Sequence, residues 1–139
     1  MCHITRVTLH NLTLRPGQSI FDQVVFAAIK AFVSGGYLPG QPFPSVRSLA
    51  MDLKIHPNTA HKVVQHLIGE GWLESRPGIG TVVAPPPAAR ETEKTALLSG
   101  QVEQLVVSAM KLGLTREAVL TAIEESWTRV ADDKTGRRP

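Results

Sequence analysis

Apolar residues recur at helical spacing in three stretches of the first half of the chain, and they predict three helices. The first covers residues 19–34, with Ser19 placed as its N-cap and a Gly-Gly pair as its stop. The second is short, and Ser45 is in position to cap it. The third starts at His56-Pro57, because proline fits the first turn of a helix, where no backbone N–H is needed.

A β-hairpin is predicted directly after the third helix. Residues 72–76 and 81–84 are short runs of strand-forming residues, and Pro77-Gly78-Ile79-Gly80 supplies the bend between them. Residues 4–14 alternate imperfectly between apolar and polar side chains, which predicts one further strand. Three helices followed by a hairpin indicate a winged helix-turn-helix domain over residues 1–84.

The rest of the chain predicts a linker and two more helices, so the expected fold is mainly α with a small β-hairpin. Residues 85–95 are assigned to the linker, because their prolines can continue neither a strand nor a helix. Residues 96–131 predict two short helices separated by Gly113, with Thr115 capping the second, and residues 132–139 form a polar tail. One helix has an apolar seam at heptad spacing and the other an apolar stripe: Leu98, Val102, Leu105, Ala109 and Leu112, then Val119, Ile123, Trp127 and Val130.

The polar face of the third helix contains no acid. Asn58, His61, Lys62 and Gln65 share this face, and no Asp or Glu occurs between Asp52 and Glu70. A solvated helix normally mixes acidic and basic residues. In the major groove of DNA, Asn and Gln can pair with adenine, and Lys suits guanine or phosphate. The face therefore indicates an anionic partner, and the alternative is a solvated helix that lacks acids by chance.

Charge is distributed unevenly along the chain. Residues 1–84 hold seven Lys or Arg against four Asp or Glu, and they hold all five His. Residues 85–139 hold eight residues of each sign. The first part is therefore the one suited to a polyanion, although a net charge of +3 also falls within ordinary scatter.

Several other classes of protein are disfavoured. Cys2 is the only cysteine, so a disulfide within the chain is excluded. Neither an apolar run of about 20 residues nor a signal-peptide core is present, which favours a cytoplasmic protein without a membrane role. The sequence shows no nucleophile elbow, paired-carboxylate motif or P-loop, so we expect no enzyme. His56, His61 and His66 do not share a helix face, so we expect neither a metal site nor a cofactor.

The stretch from Ser19 to Ala84 resembles the DNA-binding domain of GntR-family transcriptional regulators. The motifs that carry the resemblance are FDQ in the first helix, LPG and PSVRSLA around the second, NT in the third, and EGWLESRPGIGTVV in the hairpin. The segment AMKLGLTREAVLTAIEESW, in so short a C-terminal region, resembles the YtrA-like subfamily. The resemblance implies that the two C-terminal helices serve dimerisation and that a larger effector-binding domain is lacking.

The resemblance also implies roles for individual residues. Arg47 matches an arginine at the edge of the major groove, and Gly78 matches a wing-tip glycine that approaches the minor groove. The chain departs from the family pattern at His56-Pro57, at Ala60-His61-Lys62 and at Pro77. Together with the polar face, these matches give the predicted DNA-binding residues: Ser45, Arg47, His56, Asn58, Thr59, His61, Lys62, Gln65, Arg76 and Gly78.

The first helix carries a second apolar stripe beyond what one buried face needs. We expect this stripe to pack under C-terminal helices, either its own or those of a second copy. The predicted dimerisation residues are Val25, Ile29, Val33, Leu98, Val102, Leu105, Leu112, Val119, Ile123 and Trp127.

The expected function is that of a dimeric, bacterial-type regulator of transcription, usually a repressor, that binds an inverted-repeat operator in double-stranded DNA. The resemblance to the YtrA-like group adds control of its own operon and of a neighbouring transporter. One alternative is a winged-helix module for protein–protein contact without DNA binding. Another is a regulator that binds an unknown small-molecule effector at the dimer interface.

Overall fold

The computed structural model describes Leu9 and residues 12–132, and its fold is mainly helical with a two-stranded antiparallel hairpin, as predicted. The chain divides into two compact units. The first runs to Pro87 and also includes residues 130–132 at the end of the last helix, and the second covers Ala88–Arg129. The elements of the first unit are α1 (Ile20–Ser34), α2 (Val46–Leu53), α3 (Pro57–Gly69), β1 (Leu73–Arg76) and β2 (Gly80–Val83). Those that follow are α4 (Glu91–Thr95), a π-helical segment (Ala96–Gln101), α5 (Val102–Lys111) and α6 (Arg116–Asp132).

Side-chain caps determine where α1 and α2 begin, as the sequence predicts. Ser19 Oγ accepts a hydrogen bond from the backbone N–H of Asp22, and Ser45 Oγ accepts one from Ser48, both at 3.1 Å. Each cap satisfies a backbone donor that the helix itself leaves unpaired. At the other end of α1, Gly35 has a φ of 87°, which glycine adopts at little cost.

The core of the first unit is built from one face of each helix and from the base of the hairpin. An aromatic cluster joins these parts, because Phe32 of α1 stacks on Trp72 with ring centroids 5.7 Å apart. The ring centroid of Phe43 lies 5.9 Å from that of Phe32 and 5.4 Å from that of Tyr37. The buried apolar residues of the three helices are Val24, Ala28, Ala31, Phe32, Leu49, Ala50, Leu53, Ala60, Val63, Val64 and Leu67.

A short turn connects α2 to α3. Lys54 has left-handed backbone angles, with φ 56° and ψ 49°, and its N–H donates to the carbonyl of Ala50. The backbone N–H of Ile55 donates to the same carbonyl at 3.0 Å, and the Ile55 side chain is buried. The turn thus ends α2 and leads directly into α3, and the two helices pack against each other.

The hairpin is extended by the segment around Pro42, whose glycines and prolines predict a loop. β1 pairs with β2 in the register Leu73↔Val83 to Arg76↔Gly80. On the other side of β2, the N–H of Phe43 donates to Thr81 at 2.9 Å, and the N–H of Val83 donates to Gln41 at 2.8 Å. Pro42 fits between these bonds because its missing N–H is tolerated on an edge.

The remaining predictions for the first unit have mixed outcomes. The predicted strand over residues 4–14 lies mostly outside the described residues, and it is wrong for those that are described, because Leu9 is helical and residues 12–14 have no strand pairing. Leu9, Leu12 and Leu14 nevertheless pack with the core. His66 of α3 is exposed, and its ring meets that of Phe21 edge-on with the ring centroids 5.3 Å apart.

The second unit has almost no core of its own. Of residues 88–129, all of which the structure describes, only Ala109 is buried. Apolar residues such as Trp127 often anchor a core, but in the single chain this side chain is 76% exposed. Twelve large apolar residues of this unit are exposed: Leu97, Leu98, Val102, Leu105, Val106, Val107, Met110, Leu112, Leu114, Leu120, Ile123 and Trp127.

Helix boundaries in the second unit follow local signals. Helix α4 begins at Glu91, inside the segment assigned to the linker, and the Glu93 carboxylate accepts the backbone N–H of Arg90 at 2.9 Å. Acids in a first turn also complement the positive end of the helix dipole. Gly113, with a φ of 76°, follows α5, and Thr115 Oγ1 caps α6 by accepting the N–H of Ala118 at 3.0 Å. In the part of the chain that the structure describes, no helix is long and apolar enough to cross a bilayer.

Candidate nucleic-acid interface

Helix α3 begins with a histidine cap. His56 Nδ1 accepts the backbone N–H of Asn58 at 3.0 Å, and Pro57 occupies the first turn. A ring nitrogen accepts only when it carries no proton, so in neutral His56 the hydrogen is on Nε2. Since His56 is exposed, this Nε2–H is a donor available at the start of the helix. The first turn contains no acid, which leaves the partial positive charge of the helix end uncompensated.

One face of α3 is polar and solvent-exposed, and the opposite face is buried. Asn58, His61, Lys62 and Gln65 are all exposed, whereas Thr59 is half-buried. Ala60, Val63, Val64 and Leu67 are buried against the core. The structure thus brings the predicted amide, imidazole and ammonium groups together on one free surface. Their donors could pair with base edges or phosphate oxygens, because both offer hydrogen-bond acceptors.

Helix α2, which packs against α3, carries a further exposed basic residue. Arg47 is the second residue of α2 and is exposed. The Ser45 hydroxyl is already used as an acceptor in the cap of α2, although the side chain remains exposed. Two helices packed across a tight turn, with the second free to enter a groove, form a helix-turn-helix.

The tip of the hairpin is a hydrogen-bonded turn. The N–H of Ile79 donates to the carbonyl of Arg76 at 3.0 Å, with Pro77 and Gly78 at the two central positions. Gly78 has a φ of 78°, so the turn is of type II, in which proline favours the first central position and glycine the second. Arg76 also meets Glu74 at 3.4 Å on the exposed surface. A surface pair of this kind contributes little and does not prevent Arg76 from binding phosphate.

The predicted dimerisation residues lie in both units. In the second unit, Val119 is half-buried and the other predicted residues are exposed. In the first unit, Val25 and Ile29 are half-buried against the core, whereas Val33 is exposed. Phe26, also on α1, is 69% exposed.

The sequence analysis does not predict a functional role for one exposed residue of the hairpin, Ile79. Ile79 is 70% exposed at the tip, where the sequence indicates only a bend. The available signal was the composition of the bend itself, which contains an apolar residue between two glycines and lacks a polar side chain. Among Leu9 and residues 12–132, no three His, Cys, Asp or Glu side chains are grouped as metal ligands would be.

A compact unit with a helix-turn-helix, an acid-free exposed helix face and an adjoining hairpin defines a winged helix-turn-helix protein. Comparisons with known proteins agree with this class. Residues 22–83 match the family described as bacterial regulatory proteins, gntR family. The chain is 30% identical over 131 residues to the HTH-type transcriptional repressor YtrA of Bacillus subtilis, covering 89% of this chain and 94% of YtrA. It is 31% identical over 105 residues to the HTH-type transcriptional regulator YhcF of the same organism, covering 76% of this chain and 84% of YhcF.

Solved structures show the same fold. A transcriptional antiterminator from Listeria monocytogenes EGD-e superposes with a TM-score of 0.75 at 21% identity, covering 86% of this chain and 92% of that one. A GntR family transcriptional regulator from Listeria monocytogenes gives a TM-score of 0.61 at 21% identity, with 81% and 98% covered.

The chain belongs to the gntR family of bacterial regulatory proteins, and its match to YtrA supports the YtrA-like resemblance. It is a transcriptional regulator of this family, which implies DNA binding, and it is not an enzyme.

Proposed function

We propose that the protein is a dimeric repressor that reads an inverted-repeat operator with helix α3 of each copy. The observation that carries this proposal is the exposed, acid-free face of α3, with its buried opposite face. A helix with this distribution can enter the major groove without bringing a carboxylate near the phosphates. It can also remain packed on its own core while it does so.

Each half-site would be read by a small set of side chains. Asn58 and Gln65 can pair with adenine through two hydrogen bonds, and Lys62 suits guanine or phosphate. His56 and His61 add donors or acceptors along the same helix, and Thr59 is a further polar contact at its start. Ser45, Arg47, Arg76 and Gly78 would bind the phosphate backbone and grooves on either side, which fixes the register of α3.

The dimer would be formed mainly by the second unit. Twelve exposed large apolar residues within 42 residues of chain cannot all face water without cost. A second copy can cover them with the same residues, since a two-fold interface joins identical surfaces. The exposed residues Phe26 and Val33 on α1 offer a further apolar surface for C-terminal helices. Two copies of α3 related by a two-fold axis imply an operator with two-fold symmetry.

Repression is supported by the relative YtrA, whose name describes a transcriptional repressor. On this proposal the protein acts in the cytoplasm by occupying an operator close to its own promoter. Regulation of a neighbouring transporter operon follows from the YtrA-like resemblance. An upstream palindrome next to the gene of this protein is the expected operator.

Selection of bound sites from a random duplex library tests this function directly. We expect the selected sequences to contain two copies of one motif in inverted orientation, separated by about one or two helical turns. Sedimentation equilibrium of the free protein at micromolar concentration should give the mass of two chains. Selected sites without inverted symmetry, or a mass of one chain both free and on DNA, would refute the proposed dimer. Absence of any enriched motif would refute sequence-specific binding.

A further inference from the structure

We propose that Ile79 at the hairpin tip makes an apolar contact with the DNA minor groove and selects A·T over G·C pairs there by shape. This inference rests on the proposed function, because it takes the hairpin to meet DNA beside α3. It assigns a specificity role to a residue outside the polar set described above.

The chemistry of the tip restricts how it can recognise a partner. The four residues Pro77-Gly78-Ile79-Gly80 have no side chain that can donate or accept a hydrogen bond. Ile79 projects the only large side chain among them and is 70% exposed. The tip therefore cannot recognise bases through hydrogen bonds from its side chains. Van der Waals contact with groove walls and sugars remains available to it.

The turn holds Ile79 in a defined position. Its N–H is bonded to the carbonyl of Arg76 at 3.0 Å, and Pro77 fixes one of the central backbone angles. Gly78 and Gly80 have φ values of 78° and 109°, which an L side chain rarely adopts. A rigid turn loses little conformational freedom on binding, so an apolar contact by its side chain is less strongly opposed by entropy.

The hairpin also has suitable reach. Its base is fixed to the end of α3, because the N–H of Trp72 donates to the carbonyl of Leu67 at 2.9 Å. Strand β1, with four residues at about 3.3 Å each, extends the tip roughly 13 Å from this base. The major groove is about 12 Å wide, and the minor groove begins beyond one phosphate ridge. A helix lying in the first groove can therefore deliver the tip to the second.

The minor groove distinguishes base pairs in a way that suits an apolar side chain. A·T pairs present only acceptors on the groove floor, whereas G·C adds the protruding 2-amino group of guanine. An isoleucine pressed against that amino group would exclude water without supplying an acceptor, which is unfavourable. A lone exposed apolar residue is common on protein surfaces. Here, however, it is the only large side chain that the tip offers to a neighbouring groove.

The test uses the full-length protein and a duplex recovered by site selection. Hydroxyl-radical footprinting first locates the flanking base pairs whose sugars the protein protects. These pairs are then made A·T, G·C or inosine·C in three otherwise identical duplexes. Inosine·C has the major-groove face of G·C but lacks the 2-amino group in the minor groove, so the series separates the two grooves.

We expect wild-type protein to bind the A·T and inosine·C duplexes equally and the G·C duplex roughly five- to tenfold more weakly, as for one mismatched pair. Ile79→Ala should bring the three affinities within about twofold of one another, with an unchanged dependence on salt because no charge is lost. Leu38→Ala, at another exposed apolar residue of the same unit, should preserve the wild-type pattern.

Three results would overturn the inference. In the first, wild-type protein shows no preference among the flanks. In the second, wild-type protein binds the inosine·C duplex as weakly as the G·C duplex, which would mean that the protein distinguishes the pairs in the major groove. In the third, Ile79→Ala retains the wild-type discrimination. Failure of the proposed function is a different result, because wild-type protein would then yield no selected duplex at all.

Discussion

The histidine cap of α3 allows a quantitative prediction that connects helix stability with DNA binding. Replacing His56 by alanine removes the acceptor for the N–H of Asn58, which His56 Nδ1 holds at 3.0 Å. Side-chain caps contribute about 0.5–2 kcal/mol. This bond has ordinary length and both residues are exposed, so we expect His56→Ala to lower the free energy of unfolding by about 1 kcal/mol. In a unit of this size the midpoint of thermal unfolding should fall by about 4–8 °C.

Loss of the His56 cap should also weaken DNA binding, because Asn58 is the first residue of the polar face of α3. Without its cap, the first turn of α3 would fray in the free protein. Binding to DNA would then have to order this turn, and the binding free energy would become less favourable by up to the same 1 kcal/mol, roughly, that the cap contributes to stability. We expect affinity for a selected duplex to fall about fivefold, with the preferred sequence unchanged at the positions read further along α3.

A matched variant separates the cap from other roles of the ring. His56→Asn retains an acceptor at the N-cap and should keep nearly all the stability that alanine loses. Urea unfolding can be followed by fluorescence of Trp72, which stacks on Phe32 in the first unit, in a Trp127→Phe background. If the alanine and asparagine variants unfold at the same urea concentration, the cap bond does not stabilise α3 and the reasoning fails. If asparagine restores stability but not DNA affinity, the imidazole itself contacts DNA through Nε2.

Three further predictions concern binding and assembly. Arg47→Ala should weaken binding to all sequences similarly and reduce the salt slope by about one, measured by titration at several salt concentrations; a sequence-dependent loss would instead mean a base contact. Asn58→Ala should relax base preference at one position per half-site by about 1–3 kcal/mol, and an unchanged profile in repeated site selection would remove this assignment. Trp127→Ser should raise the dimer dissociation constant by at least about a thousandfold, because the two indoles, each 76% exposed in the single chain, would together lose about 4–6 kcal/mol of burial in the proposed dimer. An unaltered sedimentation profile would place Trp127 outside the interface.

Local signals explain why much of the first unit could be predicted from the sequence. Ser19 and Ser45 act as caps through bonds to residues three positions away, so short stretches of sequence suffice to locate both helix starts. The buried and exposed sides of α3 follow from a repeat of 3.6 residues, and the exposure of Asn58 and Lys62 agrees with it. These features depend on neighbours in the chain rather than on the assembled fold.

Features that depend on distant partners were not predictable in the same way. The segment around Pro42 reads as a loop, but it pairs with β2 across 40 residues of sequence. The Gln23 side chain accepts the N–H of Arg15 at 2.7 Å and donates to the Arg15 carbonyl at 3.0 Å, like a strand neighbour. The periodicity of apolar residues along the chain predicts neither arrangement. The helix starting at Glu91 was not predicted for another reason. Its charged residues are exposed, and such residues are equally typical of a solvated linker.

Trp127 shows a limit that applies to any single sequence. Apolar periodicity in α6 predicts that one face is covered, but it does not say whether the same chain or a second copy covers it. In the structure, the first unit buries a face of each of its three helices, whereas the second buries only Ala109 among residues 88–129. The first unit therefore has a core that can hold α3 in place by itself. On the proposed dimer, the second unit would gain most of its burial on assembly.

This division has a consequence for regulation on the proposed dimer. If the second unit is stabilised mainly by a partner, its stability depends on the concentration of the protein, whereas that of the first unit does not. At low concentration, each chain would read a single half-site weakly through α3 and the hairpin. At higher concentration, the paired second units would link two half-site contacts, and the second contact would then occur at a high effective concentration. Occupancy of an inverted repeat should therefore rise more steeply with protein concentration than occupancy of an isolated half-site, as suits a repressor that controls its own synthesis.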